Sequence, residues 1–266
     1  MQIAMDEWFN VHFARMRVLA TTGSIMTKPL LIMKTGSTVE SLIALGEDFE
    51  DWFIAGCASP GAEFTVTRLH LGERLPAPET VSGILITGSP ANVTDLAEWN
   101  YSGANFLRVA RELGVPILGV CYGHQLVAWA FGGAVDFNPS GREIGTVDIS
   151  LDSAATGDPL LGDLPARFKA QTTHVQSVTR LPPGAVHLAA SALDDNHAYR
   201  LDDSIWCVQF HPEFSERVMR EYITQRATAL GAEGRSIADL LASVEATPEA
   251  AQLLHRFAAY CQQREN

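Results

Sequence analysis

The chain has little of what would tie it to a membrane, to nucleic acid or to an oxidising compartment. No uninterrupted apolar run is long enough to cross a bilayer, so no membrane partner is expected. Lys and Arg number 19 against 31 for Asp and Glu, and a net charge of −12 repels phosphate backbones, so no nucleic acid is expected either. The four cysteines, Cys57, Cys121, Cys207 and Cys261, are widely spread and never form a Cys-x-x-Cys pair. That spacing suggests neither a metal site nor a disulfide framework, and it suits a reducing cytoplasm. Internal repeats, low-complexity tracts and charge runs are also missing. Nothing in the sequence asks for a cofactor.

What is present fits a globular protein. The 266 residues are 47% hydrophobic and 19% charged, enough for one large α/β domain or two small ones with a full core. Near the start, Arg15 and Arg17 precede only Val18, Leu19 and Ala20, too short an apolar stretch for a secretory signal. Residues 1–27 are expected to be a poorly ordered extension, with Met26 as an alternative natural start.

Periodicity then predicts an alternation of strands and helices. Residues 29–34 form an apolar run ended by Thr35-Gly36-Ser37, as in a central parallel strand. Phe49, Trp52 and Phe53 share one face of a helix, residues 64–69 alternate as a second strand, and Pro76 and Pro78 enforce an extended connection. Residues 81–87 form a third strand that runs into Gly88-Ser89-Pro90, and Asp95, Glu98 and Trp99 open a helix that stops at Gly114. After residue 140 the chain reads as β-rich, with strands at 147–151, 168–178 and 186–190. A last strand over residues 205–210 ends on His211-Pro212-Glu213, and a helix from Ser215 carries Val218, Met219 and Tyr222 inward. The main domain is assigned to residues 28–230. Residues 231–266 read as a helical tail whose stripes at Leu240, Leu241 and Val244 and at Leu253, Leu254 and Phe257 cover either the domain itself or a second copy in a homodimer.

The stretch that organises the rest is Val115 through Gln125. A short apolar run meets Gly119, Cys121 and Gly123, followed by helical spacing of Leu126, Val127, Ala130 and Phe131. Gly-x-Cys-x-Gly at a strand-to-helix junction is the thiol form of a nucleophile elbow: the glycines let strand and helix close up while the central side chain projects. A thiolate there is stabilised by the free N–H groups of the helix terminus. An acyl-thioester also needs a base, a group to orient that base, and donors for an oxyanion. His211 and Glu213, two residues apart at a strand end, fit the first two needs. The amides of Tyr122 and of Gly88 or Ser89 fit the third. Cys207 reads as core, Cys57 and Cys261 get no role, His124 reads as a structural hydrogen-bonder, and His174 stands evenly between packing and substrate positioning.

Gly-Val-Cys-Tyr-Gly-His-Gln (119–125) with Gln-Phe-His-Pro-Glu-Phe (209–214) resembles the class I, or triad, glutamine amidotransferases, and Thr-Gly-Ser-Pro (87–90) is similar to their oxyanion strand. The resemblance implies a flavodoxin-like, open, mostly parallel sheet flanked by helices, and hydrolysis of the glutamine side-chain amide through a γ-glutamyl thioester. It implies Cys121, His211 and Glu213 as the triad and Gln125 as a substrate contact. It also implies that the Val175-Gln176 backbone binds the α-amino and α-carboxylate end, with Ser89 beside it. Arg142-Glu143-Ile144-Gly145 is similar to the glutaminase half of GMP synthases, yet the chain has neither a Walker A loop nor the Ser-Gly-Gly-x-Asp-Ser loop of an ATP-pyrophosphatase. Three readings follow: a glutaminase that hands ammonia to a separate synthetase chain, a free-standing γ-glutamyl hydrolase or peptidase, and a non-catalytic module of the same fold. The Gly-Ser-Pro loop, in place of Gly-Gly-Pro, favours the second. The intact Cys, His and Glu argue against the third.

Overall fold

The computed structural model describes residues 28–58 and 62–265, and the extension expected over residues 1–27 lies outside them. Five strands form the parallel half of one sheet: β1 (Leu30–Lys34), β2 (Phe64–Arg68), β3 (Gly83–Ile86), β4 (Ile117–Val120) and β11 (Ile205–Val208). They stand in the order β2, β1, β3, β4, β11, which is the flavodoxin-like order with the last strand next to β4. Four more strands extend the sheet as an antiparallel wing: β10 (Ala198–Leu201), β9 (Val186–Ala190), β6 (Glu143–Leu151) and β7 (Arg167–His174). A separate two-stranded sheet pairs β5 (Ala134–Phe137) with β8 (Gln176–Arg180). The run predicted as one strand over residues 168–178 therefore breaks at Val175, and its two halves serve different sheets.

The parallel strands are apolar throughout because both of their faces are covered. Leu30, Ile32, Leu85, Leu118, Val120, Trp206 and Val208 point into one apolar cluster, whereas Leu31, Met33, Ile84, Ile86, Ile117, Ile205 and Cys207 point into the other. On the second face lie α3 (Glu98–Glu112) and α4 (Tyr122–Ala130), contributing Leu107 and Leu126. The first face is covered by α1 (Glu40–Ile43), α2 (Phe49–Cys57) and α5 (Glu216–Gln225), through Leu42, Phe53 and Met219. Ser215 caps α5 by accepting from the amide of Val218, and Asp48 caps α2.

The C-terminal helices pack back on this first face. After the short α6 (Ala227–Ala232) and α7 (Ile237–Ala242), α8 (Pro248–Glu265) buries Leu253, Leu254, Phe257 and Cys261 in the same cluster as Leu30 and Phe53. Val244 is buried there too, with Leu240 and Leu241 against its edge. Among the described residues no helix is long and apolar enough to cross a membrane.

Because Leu254 is 1% exposed and lies against α2, Leu254→Ala is expected to remove about 2–5 kcal/mol of stability. Urea unfolding measures this directly. A midpoint equal to that of the unmodified protein would mean that α8 is not part of the cooperative unit.

Candidate active site

The parallel strands β1, β3, β4 and β11 all end at one edge of the sheet, and each leads into a loop that carries site residues. At the end of β4 the backbone of Cys121 adopts φ 52° and ψ −101°, a conformation that a side-chain-bearing residue reaches only at a cost of about 1–3 kcal/mol. It is also the N-cap of α4. The tight approach of α4 to the sheet requires the glycines around it. A Cβ on Gly119 would lie 2.7 Å from the carbonyl oxygen of Gly123, and one on Gly123 would lie 2.7 Å from the backbone oxygen of Ile86. Tyr122 anchors the first turn of α4 through a 2.6 Å hydrogen bond from its hydroxyl to Asn100 Oδ1.

His211 and Glu213 follow β11. His211 Nδ1 lies 2.7 Å from Glu213 Oε1, and both side chains are buried. The backbone amide of His211 donates to the carbonyl of Gln171 in the antiparallel wing, and Phe214 stacks on the ring at 4.0 Å. Nε2 is buried and makes no hydrogen bond, and the Cys121 sulfur is near enough to act on the charge of the ring. Burial opposes a charge on the imidazole. The Glu213 carboxylate and the Cys121 sulfur outweigh it, and they raise the pKa of His211 from the ordinary 6.5 to about 10. The three side chains are thus arranged so that the carboxylate orients the ring and the ring faces the thiol.

The loop after β3 is held by hydroxyls. Thr35 Oγ1 donates to the carbonyl of Thr87 at 2.8 Å, and Thr87 Oγ1 donates to the carbonyl of Gly88 at 3.0 Å. In trans peptides the N–H points opposite to the carbonyl, so the amides of Gly88 and Ser89 are turned away from these hydroxyls. Gly88 also abuts the ring of His211, since a Cβ there would meet His211 Cε1 at 2.9 Å. Two adjoining pockets meet at Cys121. Ser89, Tyr122, Gln125, Val175 and Gln176 line the first of them, and Ser89, Cys121 and His211 the second. Every residue assigned to the site from sequence lies in or directly behind this pair of pockets.

Gln125 is more constrained than the sequence indicates. Its amide nitrogen donates to the carbonyl of Gln176 at 2.8 Å and to Gln209 Oε1 at 2.9 Å, so what it can offer a substrate is its carbonyl oxygen, an acceptor. His174, which lines the first pocket, is the residue that sequence reasoning left undecided. Its Nδ1 lies 2.9 Å from the carbonyl of Gln176 and its Nε2 lies 3.0 Å from Glu143 Oε2. Both contacts together hold the ring between the β7–β8 junction and the Glu143 carboxylate. Glu143 also meets His197 Nε2 at 2.9 Å and accepts from Ser191 Oγ at 2.6 Å. Burial alone would raise the Glu143 carboxyl, but the hydrogen bonds from His174 and His197 hold it well below the usual carboxylate range. Glu143, His174 and His197 are of a type and proximity, within 4.8 Å, that could take a metal ion, yet each distance to the carboxylate is that of a hydrogen bond.

The remaining candidates for the base or nucleophile are unsuited. His124 is fully buried beside Tyr199, and burial pushes its pKa down to about 3, as expected of a structural residue. Burial raises the thiols of Cys57 and Cys207 to about 12. Sequence reasoning missed any role for Glu143, His197, Arg226 and Thr35. A carboxylate 31 residues from one histidine and 54 from the other leaves no local pattern.

A family model for class-I glutamine amidotransferases matches residues 42–229, well over half of the chain. The chain belongs to this family. The amidotransferase domain is 36% identical over 138 residues to one subunit of the glutamine-hydrolysing GMP synthase of Methanosarcina acetivorans, covering 52% of this chain and 67% of that protein. It is 27% identical over 147 residues to gamma-glutamyl peptidase 4 of Arabidopsis thaliana, covering 54% and 59%. The chain spans between 33% and 67% of the length of the first curated relatives that it matches. Among solved structures, a glutamine amido transferase from Methylobacillus flagellatus superimposes with a TM-score of 0.68 at 27% identity, covering 90% of this chain and 94% of that one.

The Glu213–His211 pair in the amidotransferase predicts a pH signature. Since the folded-state pKa of His211 is raised, its charge favours folding fully below 6.5, and that contribution is lost as pH rises through about 10. In a proton NMR titration, the His211 ring is expected to stay protonated beyond pH 8 and to titrate at least about one pH unit lower in Glu213→Gln. An unchanged midpoint in the variant would mean that Glu213 does not set the charge of the ring.

Proposed function

We propose that the chain hydrolyses the side-chain amide of glutamine, a γ-glutamyl amide, to glutamate and ammonia through a thioester at Cys121. The observation that carries this reading is the strained placement of Cys121 at a helix N-terminus, against a histidine whose far nitrogen is held by a buried carboxylate. In the proposed sequence, the Cys121 sulfur attacks the amide carbon as a new C–S bond forms, and the amides of Tyr122 and Gly88 receive the oxyanion. The C–N bond then breaks as His211 gives its proton to the leaving nitrogen. Water next attacks the thioester, with His211 as base; the C–S bond breaks and glutamate leaves. Gln125 Oε1 accepts from the substrate's ammonium group, and the segment Val175-Gln176, together with Ser89, borders its carboxylate.

The relationship to one subunit of a GMP synthase supports a separate synthetase chain as the acceptor of the ammonia. The likeness to a gamma-glutamyl peptidase supports a second reading, in which the leaving group is larger than ammonia. One specific observation favours it: a pocket on the His211 side of Cys121 that ammonia would not need. The four described cysteines are free, which fits a cytoplasmic site of action.

Purified protein is expected to release glutamate from glutamine or from γ-glutamyl peptides, and Cys121→Ala to release none. His211→Ala is expected to lower turnover by about 10³-fold or more, because such residues act as a unit. A coupled glutamate assay measures both. Near-native turnover in His211→Ala would place the base elsewhere.

A further inference from the structure

The two pockets that meet at Cys121 differ in what lines them. Gln125, Val175 and Gln176 border the first and not the second; His211, Phe49 and Tyr222 border the second and not the first. On the thioester reading given above, the proton for the leaving nitrogen comes from His211 Nε2, so the departing amine lies on the second side. Ammonia would fill only a small part of that pocket. Its wall is nevertheless built, with Thr38 Oγ1 and the Tyr222 hydroxyl 2.8 Å apart and the Thr38 amide donating to Asp48 Oδ1.

One cation borders this space without a carboxylate partner. Arg226, at the junction of α5 and α6, borders both pockets, and its guanidinium lies 4.6 Å from the centre of the Tyr222 ring. Nη1 is buried and makes no hydrogen bond, and no carboxylate pairs with Arg226 among the described residues. Arg142, the other arginine at the first pocket, is instead engaged by Glu233 at 2.9 Å. Burial and the neighbouring Arg142 weigh against the charge on Arg226, whereas Tyr222 and the Cys121 sulfur favour it. A guanidinium held in this way lacks the carboxylate that normally accompanies it, and Nη1 is left with no acceptor.

We propose that Arg226 receives a carboxylate on the leaving amine, so that the preferred substrates are γ-glutamyl amides of amino acids or short peptides rather than glutamine itself. This rests on the thioester chemistry above and develops its second reading, in which the leaving group is larger than ammonia, in place of glutamine as the main substrate. The bonds made and broken are unchanged: C–S replaces C–N, His211 protonates the amine, and the amine departs as an amino acid with its carboxylate against Arg226.

The test compares γ-glutamyl-glycine with γ-glutamyl-methylamide, which lacks the carboxylate. The unmodified protein is expected to favour the former in kcat/KM by about ten- to a hundredfold, as for a charge-assisted hydrogen bond. In Arg226→Gln the ratio is expected to fall to about one, and Arg226→Lys to retain part of it, as a point charge without the bidentate fork. In Cys121→Ala protein, calorimetry is expected to show the same preference in Kd, lost when Arg226→Gln is added. Equal kcat/KM for the two amides in the unmodified protein would overturn the assignment, whatever the variants do. Equal losses on both amides in Arg226→Gln would also overturn it, since the residue would then serve the glutamyl end. If no γ-glutamyl amide is cleaved, the thioester reading fails, and the binding preference in Cys121→Ala still decides the role of Arg226.

Discussion

The structure turns on how closely α4 sits against the end of the parallel sheet. Gly119 and Gly123 leave no room for a side chain between strand and helix, and the chain closes that gap through a positive φ at Cys121. The strain is held because both neighbours are fixed: β4 is paired on either side by β3 and β11, and the helix is pinned by Tyr122 on Asn100. A thiol in this position is presented to the pocket at the positive end of a helix, and it cannot relax into the core as Cys207 does.

The rest of the site is delivered by the order of the strands. With β1, β3, β4 and β11 adjacent and parallel, their ends bring the Thr35 hydroxyl, the Gly88 loop, the thiol and the His211–Glu213 pair to one edge, although Thr35 and Glu213 stand 178 positions apart in sequence. The antiparallel wing closes the other side. Where the chain leaves β7 for β8 at Val175 it changes sheets, and the carbonyl of Gln176 is gripped at once by Gln125 and His174. Behind it Glu143 ties β6, His174 and His197 into one buried charged group, which makes the segment beside the pocket rigid.

How much of this could be read from sequence depended on how local the constraint was. The glycine-framed cysteine, the His-Pro-Glu strand end and the Thr-Gly-Ser loop each carry their reason within seven residues or fewer, and all meet at the pockets. The parallel strands were legible because burial on two faces makes them apolar throughout. Strands β5 and β10 were not: each has four residues, and β5 is half exposed, so neither gives a clear alternation. The break at Val175 left no glycine or proline signal. Arg226 reads in sequence as an ordinary basic residue near a helix end, and only its place between two pockets, with a buried Nη1 and no carboxylate partner, sets it apart.

The central claim is that Cys121 carries the γ-glutamyl group during turnover. The most direct measurement is mass spectrometry of the intact protein after acid quench of a reaction with a γ-glutamyl amide at saturating concentration, followed by peptide mapping. A covalent γ-glutamyl adduct is expected on the peptide containing Cys121, discharged by hydroxylamine as a thioester should be. Turnover of the same substrate with no adduct at Cys121 under any quench time, or with the adduct on another residue, would contradict it.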